Sequence, residues 1–277
     1  GAVGNLLIKL WSKIELNANL EFSNGSEFGS FLRSQNLLKF EPIEDYFVNA
    51  HVNFQTAAPT FNLLINPSVY RKFNYYFAQP KNQTVTEIGG DVHLKWFKSS
   101  VFANYFRIDH YTYLDAAAQP QQSGSSLNIS QIGGEATFSY GQFHLNPRVL
   151  FQTAISNKDL FPMPNVVARA NLYWQSKVFK NAAEIQAGIK LYYFSKFAFR
   201  EYFPMLNEYI LPGTNGQTIG GQPIGDAYFN LKVKRMFFFI EAQHLNTTFM
   251  KNESFTAPSY PLYDFRVNMG IVWYLFS

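Results

Sequence analysis

Nine segments of this chain alternate apolar and polar side chains at every second position. They span residues 6–22, 84–97, 101–115, 131–140, 142–155, 165–177, 184–200, 226–234 and 264–276. In the last segment, Phe265, Ile271 and Trp273 share one face, whereas Arg266 and Asn268 lie on the other. Successive side chains of a β-strand point to opposite faces, so a period of two predicts strands with one apolar side.

One face of each segment carries no Asp, Glu, Lys or Arg, whereas the opposite faces are rich in charge. The whole chain is 47% hydrophobic and only 15% charged, although soluble domains usually reach about 25% charged residues. An Arg or Lys at the lipid-facing midplane of a barrel costs roughly 2 to 4 kcal/mol. The charge-free faces therefore predict contact with lipid.

Three weaker segments, Tyr46 to Gln55, Phe61 to Phe77 and Phe237 to Asn246, bring the expected total to about twelve strands. The apolar runs are too short for a membrane-spanning helix, which needs about 20 residues. Strands cross a lipid bilayer only as a closed barrel, because every backbone group must be paired. We therefore predict an all-β protein, a transmembrane antiparallel up-and-down β-barrel, with residues 1–277 as a single domain.

The connections between the predicted strands alternate in length. Residues 116–128, 157–164, 204–224 and 251–263 are long, whereas 98–100, 140–141, 178–182 and 234–236 are short. Bacterial outer-membrane barrels have short periplasmic turns and longer external loops. The pattern predicts that the C-terminus and Gly1 are periplasmic and that residues 24–45 form a long external loop.

Three tryptophans, Trp96, Trp174 and Trp273, fall on the apolar faces close to short turns or to the terminus. Aromatic residues collect at the interface between membrane and water. We expect these three to form a lipid-interface girdle on the periplasmic side.

Charged side chains on the opposite faces are the predicted pore lining. They are Asp91, Lys95, Arg107, Asp109, Glu135, Arg148, Arg169, Lys190, Lys232 and Glu241. An interior of mixed charge favours water and polar solutes, and rings of such side chains set ion preference. The same charges could instead pair with one another and seal the interior, and the sequence leaves both arrangements open.

Other chemistry finds little support in the sequence. The five histidines lack metal-ligand spacing, the chain has no cysteine, and no bound cofactor is expected. His144 lies near Ser139, but nothing links the two as base and nucleophile, so we predict no catalytic residues and no enzyme activity. Lysines and arginines are scattered singly, which argues against nucleic-acid binding.

Several segments resemble a known family. They are YFRIDHYTYLD (105–115), LFPMP (160–164), IQAGIKLYYFSKF (185–197), EYFPMLNEY (201–209) and SYPLYDFRVNMGIVW (259–273). With them the chain resembles the porin family of Bacteroidetes-type outer membranes. The resemblance implies the C-terminal part of a longer barrel, so that twelve strands is a lower bound, and it brings no catalytic residues. Ser277 after the terminal Phe276 departs from the usual ending that the barrel-assembly machinery recognises.

These observations predict a barrel in the bacterial outer membrane that lets small polar solutes or ions diffuse passively. Its expected partners are outer-membrane lipid, lipopolysaccharide and the barrel-assembly machinery, with a homo-oligomer or an envelope-complex partner left open. One alternative is a non-conducting subunit or scaffold of an outer-membrane complex. A second alternative is the C-terminal barrel wall of a TonB-dependent transporter.

Overall fold

The computed structural model describes residues 1–11, 13–25, 29–214 and 216–275. One antiparallel sheet of fourteen strands dominates it, with thirteen strands along the main path and a short segment, Phe138–Tyr140, beside it. The path consists of β1 (Ala2–Leu10), β2 (Ile14–Gly25), β3 (Gly29–Ile43), β4 (Tyr46–Ala57), β5 (Gln83–Leu94), β6 (Ser99–Asp109), β7 (Leu127–Glu135), β8 (Phe143–Ala154), β9 (Val166–Val178), β10 (Ala183–Phe194), β11 (Ile224–Val233), β12 (Met236–Gln243) and β13 (Arg266–Trp273).

Each strand pairs with the next one along the chain, from β1 at one edge of the sheet to β13 at the other. This is the up-and-down order that local hairpins produce. Phe138–Tyr140 continues β7, because Phe138 pairs with Leu145 in the same register in which Glu135 pairs with Arg148.

The pairing register gives the sheet two different faces. Glu135, Arg148, Arg169 and Tyr192 are successive cross-strand partners, so their side chains lie on one side, which we call the polar face. The other side, the apolar face, exposes large hydrophobic side chains: Ile132, Phe151, Leu172, Ile189, Phe229, Ile240 and Ile271. A sheet with this much exposed apolar surface requires an apolar solvent or partner.

The structure corrects two predicted segments at the N-terminal end. Residues 6–22 are not one strand but the β1–β2 hairpin, in which Leu10 pairs with Ile14 and Leu6 with Ala18. Even-numbered residues pair with even-numbered ones, so the alternation continues through the turn and resembles a single long strand. Residues 24–45, predicted to be a loop, include β3. The alternation of β3 is weak because Ser34 and Asn36 lie on the apolar face opposite Leu20 and Ala18.

Residues 61–77 do not form a wall strand. They contain a helical turn (Phe61–Leu64), a 3₁₀ turn (Arg71–Phe73) and the short strand pair Ile65–Asn66 and Tyr75–Tyr76. The split of one predicted strand into β1 and β2 and the addition of β3 outweigh this loss, so that the main path has thirteen strands, close to the expected number of about twelve. Because this number is odd, Ala2 lies at the end of the sheet opposite to the one predicted for Gly1, close to Gly25 and Gly29, where β2 ends and β3 begins.

From β3 to β13, long and short connections separate to opposite ends of the sheet, as the sequence predicted. The long loops are 58–82, 110–126, 155–165, 195–214 with 216–223, and 244–265, and the short turns are 44–45, 95–98, 141–142, 179–182 and 234–235. The loops contain the short strands Thr112–Leu114, Pro120–Gln122, Phe197–Ala198, Glu201–Phe203, Glu208–Ile210, Thr218–Ile219, Phe255–Ala257 and Tyr260–Pro261, with 3₁₀ turns at Lys158–Leu160 and Leu245–Thr248. A further 3₁₀ turn, Trp96–Lys98, lies at the short-turn end.

The buried apolar core lies among the long loops. Tyr75, Leu114, Leu206 and Ile210 come from three different loops and pack together. A second cluster joins Tyr111 to Leu127, Ile129 and Ala154 of the sheet. We call this assembly the loop cap. No helix within the described ranges is long and apolar enough to cross a membrane.

Candidate functional site

A pocket of about 440 Å³ lies on the polar face of β7 to β10, and we call it the basic pocket. Its lining is Lys98, Glu135, Ala136, Thr137, Asn146, Pro147, Arg148, Arg169, Ala170, Asn171, Lys190 and Tyr192. Four of these side chains are cations and one is an anion. Because the four strands are consecutive hairpin partners, charges far apart in sequence come together in one place.

The two arginines of the basic pocket stand directly opposite each other on β8 and β9. Like charges at such positions repel each other. Glu135 Oε2 is 3.6 Å from Arg148 Nη1. Within the described residues, Arg169 and Lys98 form no ion pair. The pocket therefore keeps a surplus of positive charge.

Lys190 lies at the side of the pocket and is partly neutralised. Its Nζ is 3.0 Å from Glu241 Oε1 and 4.8 Å from the ring centre of Tyr228. The Tyr228 hydroxyl donates a hydrogen bond of 3.1 Å to Asn171 Oδ1. On the other side, Asn146 Nδ2 donates to Thr137 Oγ1 at 2.8 Å. These contacts hold the walls of the pocket in place.

A second concave region, the amide pocket, has about 480 Å³ and lies on the polar face of β2 to β5. It is lined by Asn17, Asn19, Gln35, Leu37, His51, Asn53 and Glu87, and it is also bordered by Asn36, whose position belongs to the apolar face. Glu87 accepts a hydrogen bond of 3.0 Å from Asn53 Nδ2 and is 3.3 Å from His51 Nε2. This part of the wall is neutral to acidic, in contrast to the basic pocket.

Seven of the ten predicted lining residues lie on the polar face: Asp91, Glu135, Arg148, Arg169, Lys190, Lys232 and Glu241. Lys95 instead lies in the turn after β5, where its Nζ donates to Asp45 Oδ2 at 2.7 Å. This hydrogen bond and the charge of Asp45 raise the pKa of Lys95. Lys95 joins two short turns at the rim rather than lining the wall.

Arg107 and Asp109 were predicted to line the pore, but both lie on the apolar face of the sheet, so this prediction is wrong for them. Arg107 pairs with Thr86 and Asn128, whereas the neighbouring Phe106 pairs with Glu87 on the polar side. The side of β6 that carries Phe106 and Ile108 belongs to the polar face of the sheet, because these two side chains pack against the second core cluster of the loop cap. The sequence rule that assigns the more apolar face to lipid is wrong for this strand.

Arg107 and Asp109 neutralise each other at the loop end of the outer surface. Arg107 Nε is 3.2 Å from each carboxylate oxygen of Asp109, and Ser126 also donates to Asp109.

The length of β6 gives the height of Arg107 above the short-turn end. The eight residue steps from Ser99 to Arg107 correspond to about 26 Å along the strand at ~3.3 Å per residue. With a tilt of about 40° this is roughly 20 Å of height, comparable to the ~25 Å apolar band of a membrane barrel.

All four tryptophans of the chain lie at the short-turn end. Trp174 and Trp273 lie on the apolar face, with Trp273 opposite Met236, and Trp96 lies in the turn after β5. Trp11, which the sequence analysis did not single out, lies in the β1–β2 turn and is 81% exposed. Trp174 Nε1 donates to Gln142 Oε1 of a short turn at 2.8 Å.

Catalytic and metal-binding arrangements have little support in the structure. Ser139 Oγ is 2.8 Å from His144 Nδ1, and the His144 ring stacks on Tyr173 at 4.8 Å. Among the described residues, no carboxylate forms an ion pair with His144, and no group of three His, Cys, Asp or Glu side chains could hold a metal ion. A nucleophile and base without an orienting third group or an oxyanion site are weak grounds for hydrolysis.

Four residues of the basic pocket were not predicted from the sequence: Lys98, Asn146, Asn171 and Tyr192. Lys98 lies in a turn with a positive φ of 43°, where alternation gives no information about direction. Asn146, Asn171 and Tyr192 share the parity of their charged neighbours, so the period of two could have identified them. Phe276 and Ser277, with the predicted departure from the assembly signal, lie outside the described residues.

Solved structures with a similar fold are outer-membrane receptors. The ferric enterobactin receptor PfeA of Pseudomonas aeruginosa matches with a TM-score of 0.71 and 13% identity over 97% of this chain and 44% of its own. The FrpB iron transporter of Neisseria meningitidis matches with a TM-score of 0.65 and 11% identity, over 96% and 43%. The siderophore receptor PirA of Acinetobacter baumannii matches with 0.64 and 9%, over 96% and 44%.

The fold is thus that of a bacterial outer-membrane β-barrel, and the chain spans less than half the length of these receptors. Identities this low show the fold alone. The chain belongs to the family described as "Putative porin", whose model matches residues 1–277. Comparison with curated proteins finds no match.

Proposed function

We propose that this chain lines a channel through which small polar solutes or ions diffuse passively across the outer membrane. The observation that carries the proposal is the polar face, where two open pockets hold charged and amide side chains. Arg169 and Lys98 form no ion pair among the described residues. This favours a wall in contact with water, because an unpaired cation in a dry, plugged interior would cost several kcal/mol. Membership of the porin family supports the same function.

The barrel of this channel would be larger than the sheet described. β1 and β13 form the two edges of the path, and an open sheet edge is not stable in lipid. We propose that further strands pair with both edges. The receptors of similar fold, which are more than twice as long, support this arrangement.

The orientation follows from the two ends of the sheet. The short turns and the four tryptophans would lie on the periplasmic side and the loop cap on the outside. Arg107 and Asp109 would then lie at the depth of the outer-leaflet head groups, where lipopolysaccharide contacts the barrel. The barrel-assembly machinery would insert the protein, and no catalytic step is required.

The loop cap favours a second candidate, a non-conducting subunit or scaffold of an envelope complex. The loops share a buried core in which Leu114 is only 1% exposed, and a cap packed in this way would close a barrel whose outer end it covers. The wall of a TonB-dependent transporter is a further alternative, and it would require a plug domain and an energy-coupling segment elsewhere in the protein.

Planar bilayers test the proposal directly. The full-length protein, purified from outer membranes and shown to be folded by its heat-shifted electrophoretic migration, should give stepwise conductance. A folded protein that inserts but gives no steps would contradict the channel and favour the scaffold. A partner that co-purifies in fixed stoichiometry would strengthen the scaffold further.

A further inference from the structure

We propose that the basic pocket is a binding site for small oxyanions, such as phosphate or a dicarboxylate, and that it makes the channel prefer anionic solutes. This inference rests on the proposed function, in that the polar face must line a water-filled interior.

The lining of the basic pocket carries a surplus of positive charge. Lys98, Arg148, Arg169 and Lys190 give +4 and Glu135 gives −1, so the lining has a net charge of +3. Counting Glu241, which pairs with Lys190, leaves +2. Charge of one sign on the low-dielectric wall of a cleft concentrates solutes of opposite charge.

The two arginines of the basic pocket are arranged as a pair that can hold an anion between them. Cross-strand partners such as Arg148 and Arg169 have Cα atoms about 4.5 to 5.5 Å apart. Their guanidinium groups therefore repel each other unless an anion lies between them. A guanidinium fork matches carboxylate and phosphate oxygens in a bidentate way. One carboxylate, Glu135, at 3.6 Å from Arg148, does not satisfy both arginines.

The rest of the pocket suits a small polar ligand. Its volume of about 440 Å³ admits a phosphate or a four-carbon dicarboxylate with water. Tyr192, the cross-strand partner of Arg169, adds a hydroxyl to the lining. The contacts of Asn146 and Asn171 with Thr137 and Tyr228 fix the flanking amides. Preformed walls reduce the ordering cost of binding.

The amide pocket provides a contrast on the same face. It has a similar volume but carries Glu87 with no Lys or Arg in its lining. A preference for anions is therefore expected from β7 to β10 and not from the polar face in general. The rival arrangement is that carboxylates outside this chain pair with Arg148 and Arg169 in the complete barrel.

The double variant Arg148→Gln/Arg169→Gln of the full-length protein tests the proposal. The matched control is Arg33→Gln/Lys232→Gln, which removes the same charge from the polar face outside the basic pocket. The measurements are the reversal potential in a KCl gradient and the decrease of single-channel current on adding inorganic phosphate or succinate.

The wild-type channel should be anion-selective and blocked by millimolar phosphate or succinate. In the arginine variant the concentration for half-block should rise at least about tenfold, and in the control less than about twofold. The two added anions distinguish a phosphate site from a dicarboxylate site. A cation-selective wild type, or equal block in the wild type and the arginine variant, would overturn the proposal.

Calorimetric titration of the detergent-folded protein separates this proposal from the channel itself. If the bilayer gives no conductance but phosphate or succinate binds and the arginine variant loses binding, the site stands and the proposed function fails. If neither anion binds, the site is refuted and the arginines pair elsewhere. Should the double variant fail to fold, Arg169→Gln alone should weaken binding in the same direction.

Discussion

Lys190 and Glu241 form an ion pair that crosses an entire strand, from β10 over β11 to β12. The distance between Nζ and Oε1 is 3.0 Å, and Tyr228 of the intervening strand lies beneath the ammonium group, at 4.8 Å from its ring centre. Such a pair holds three neighbouring strands in register on the polar face. It also reduces the positive charge that faces the basic pocket.

Substitution of Glu241 and substitution of Lys190 should move ion selectivity in opposite directions. Glu241→Gln removes the carboxylate and should raise the anion-to-cation permeability ratio roughly twofold, whereas Lys190→Gln should lower it by a similar factor. Each variant should lose about 1 kcal/mol of folding stability or less, because the pair is partly exposed. Reversal potentials measure the first effect, and selectivity that shifts the same way in both variants would contradict it.

A lysine on the apolar face should lower folding stability far more than a lysine at the adjacent position on the polar face. Ile132, 55% exposed, lies near the middle of β7 and should lose roughly 2 to 4 kcal/mol as Ile132→Lys. The neighbouring Gln131 lies on the polar face, where its Nε2 donates to Gln152 Oε1 at 2.9 Å. Gln131→Lys should cost about 1 kcal/mol or less.

Urea unfolding of the two lysine variants in lipid vesicles, followed by tryptophan fluorescence, measures this difference. Equal losses for both positions would show that the two sides of β7 meet similar surroundings, which would contradict the lipid assignment of the apolar face.

The loop cap should depend on Leu114, which is almost completely buried between three loops. Leu114→Ala should cost about 2 to 5 kcal/mol within the cap and should make the loops more sensitive to added protease. Val69→Ala, at a loop position that is 96% exposed, is the matched control and should behave like the wild type. If the cap restricts the channel, Leu114→Ala should also raise conductance. Unchanged cleavage would show that the loops do not depend on this core.

Alkaline pH should loosen the loop cap through Tyr75. Burial raises the pKa of Tyr75, and the charge of Glu208 raises it further. Its hydroxyl donates to the carbonyl of Asn62 at 2.5 Å. A raised pKa means that the folded cap holds the proton more firmly than the unfolded chain. This contribution to stability is complete below the ordinary tyrosine pKa of about 10 and is lost as pH rises through the folded value.

The ionisation of Tyr75 can be followed as the difference in absorbance at about 295 nm between the wild type and Tyr75→Phe, since phenolate absorbs there and phenylalanine does not. The difference spectrum should show a midpoint above the ordinary value. The variant should lose about 1 kcal/mol at neutral pH with its hydrogen bond, and its cap should respond less to alkali. A midpoint at or below the ordinary value would refute the burial of this phenol.

The sequence by itself determined most strands of the sheet and their location in a membrane. Alternation is a local property, and a face without charge reflects the cost of placing charge in lipid, so β5 and β7 to β13 could be predicted with the outer membrane as their location. It also assigned most of the predicted lining residues to the face on which they lie, because residues such as Arg148, Arg169 and Lys190 keep their parity along regular strands.

Tertiary structure decided what depends on register and on packing between distant segments. The β1–β2 turn preserves parity, so only the pairing of Leu10 with Ile14 reveals two strands. The strand β6 has apolar residues on one face and a mutually neutralising pair, Arg107 and Asp109, on the other. Which side of β6 belongs to the polar face depends on packing against the second core cluster, to which β7 contributes Leu127. The opposition of Arg148 and Arg169 likewise exists only through the β8–β9 register, because no local pattern fixes which residues of two strands meet.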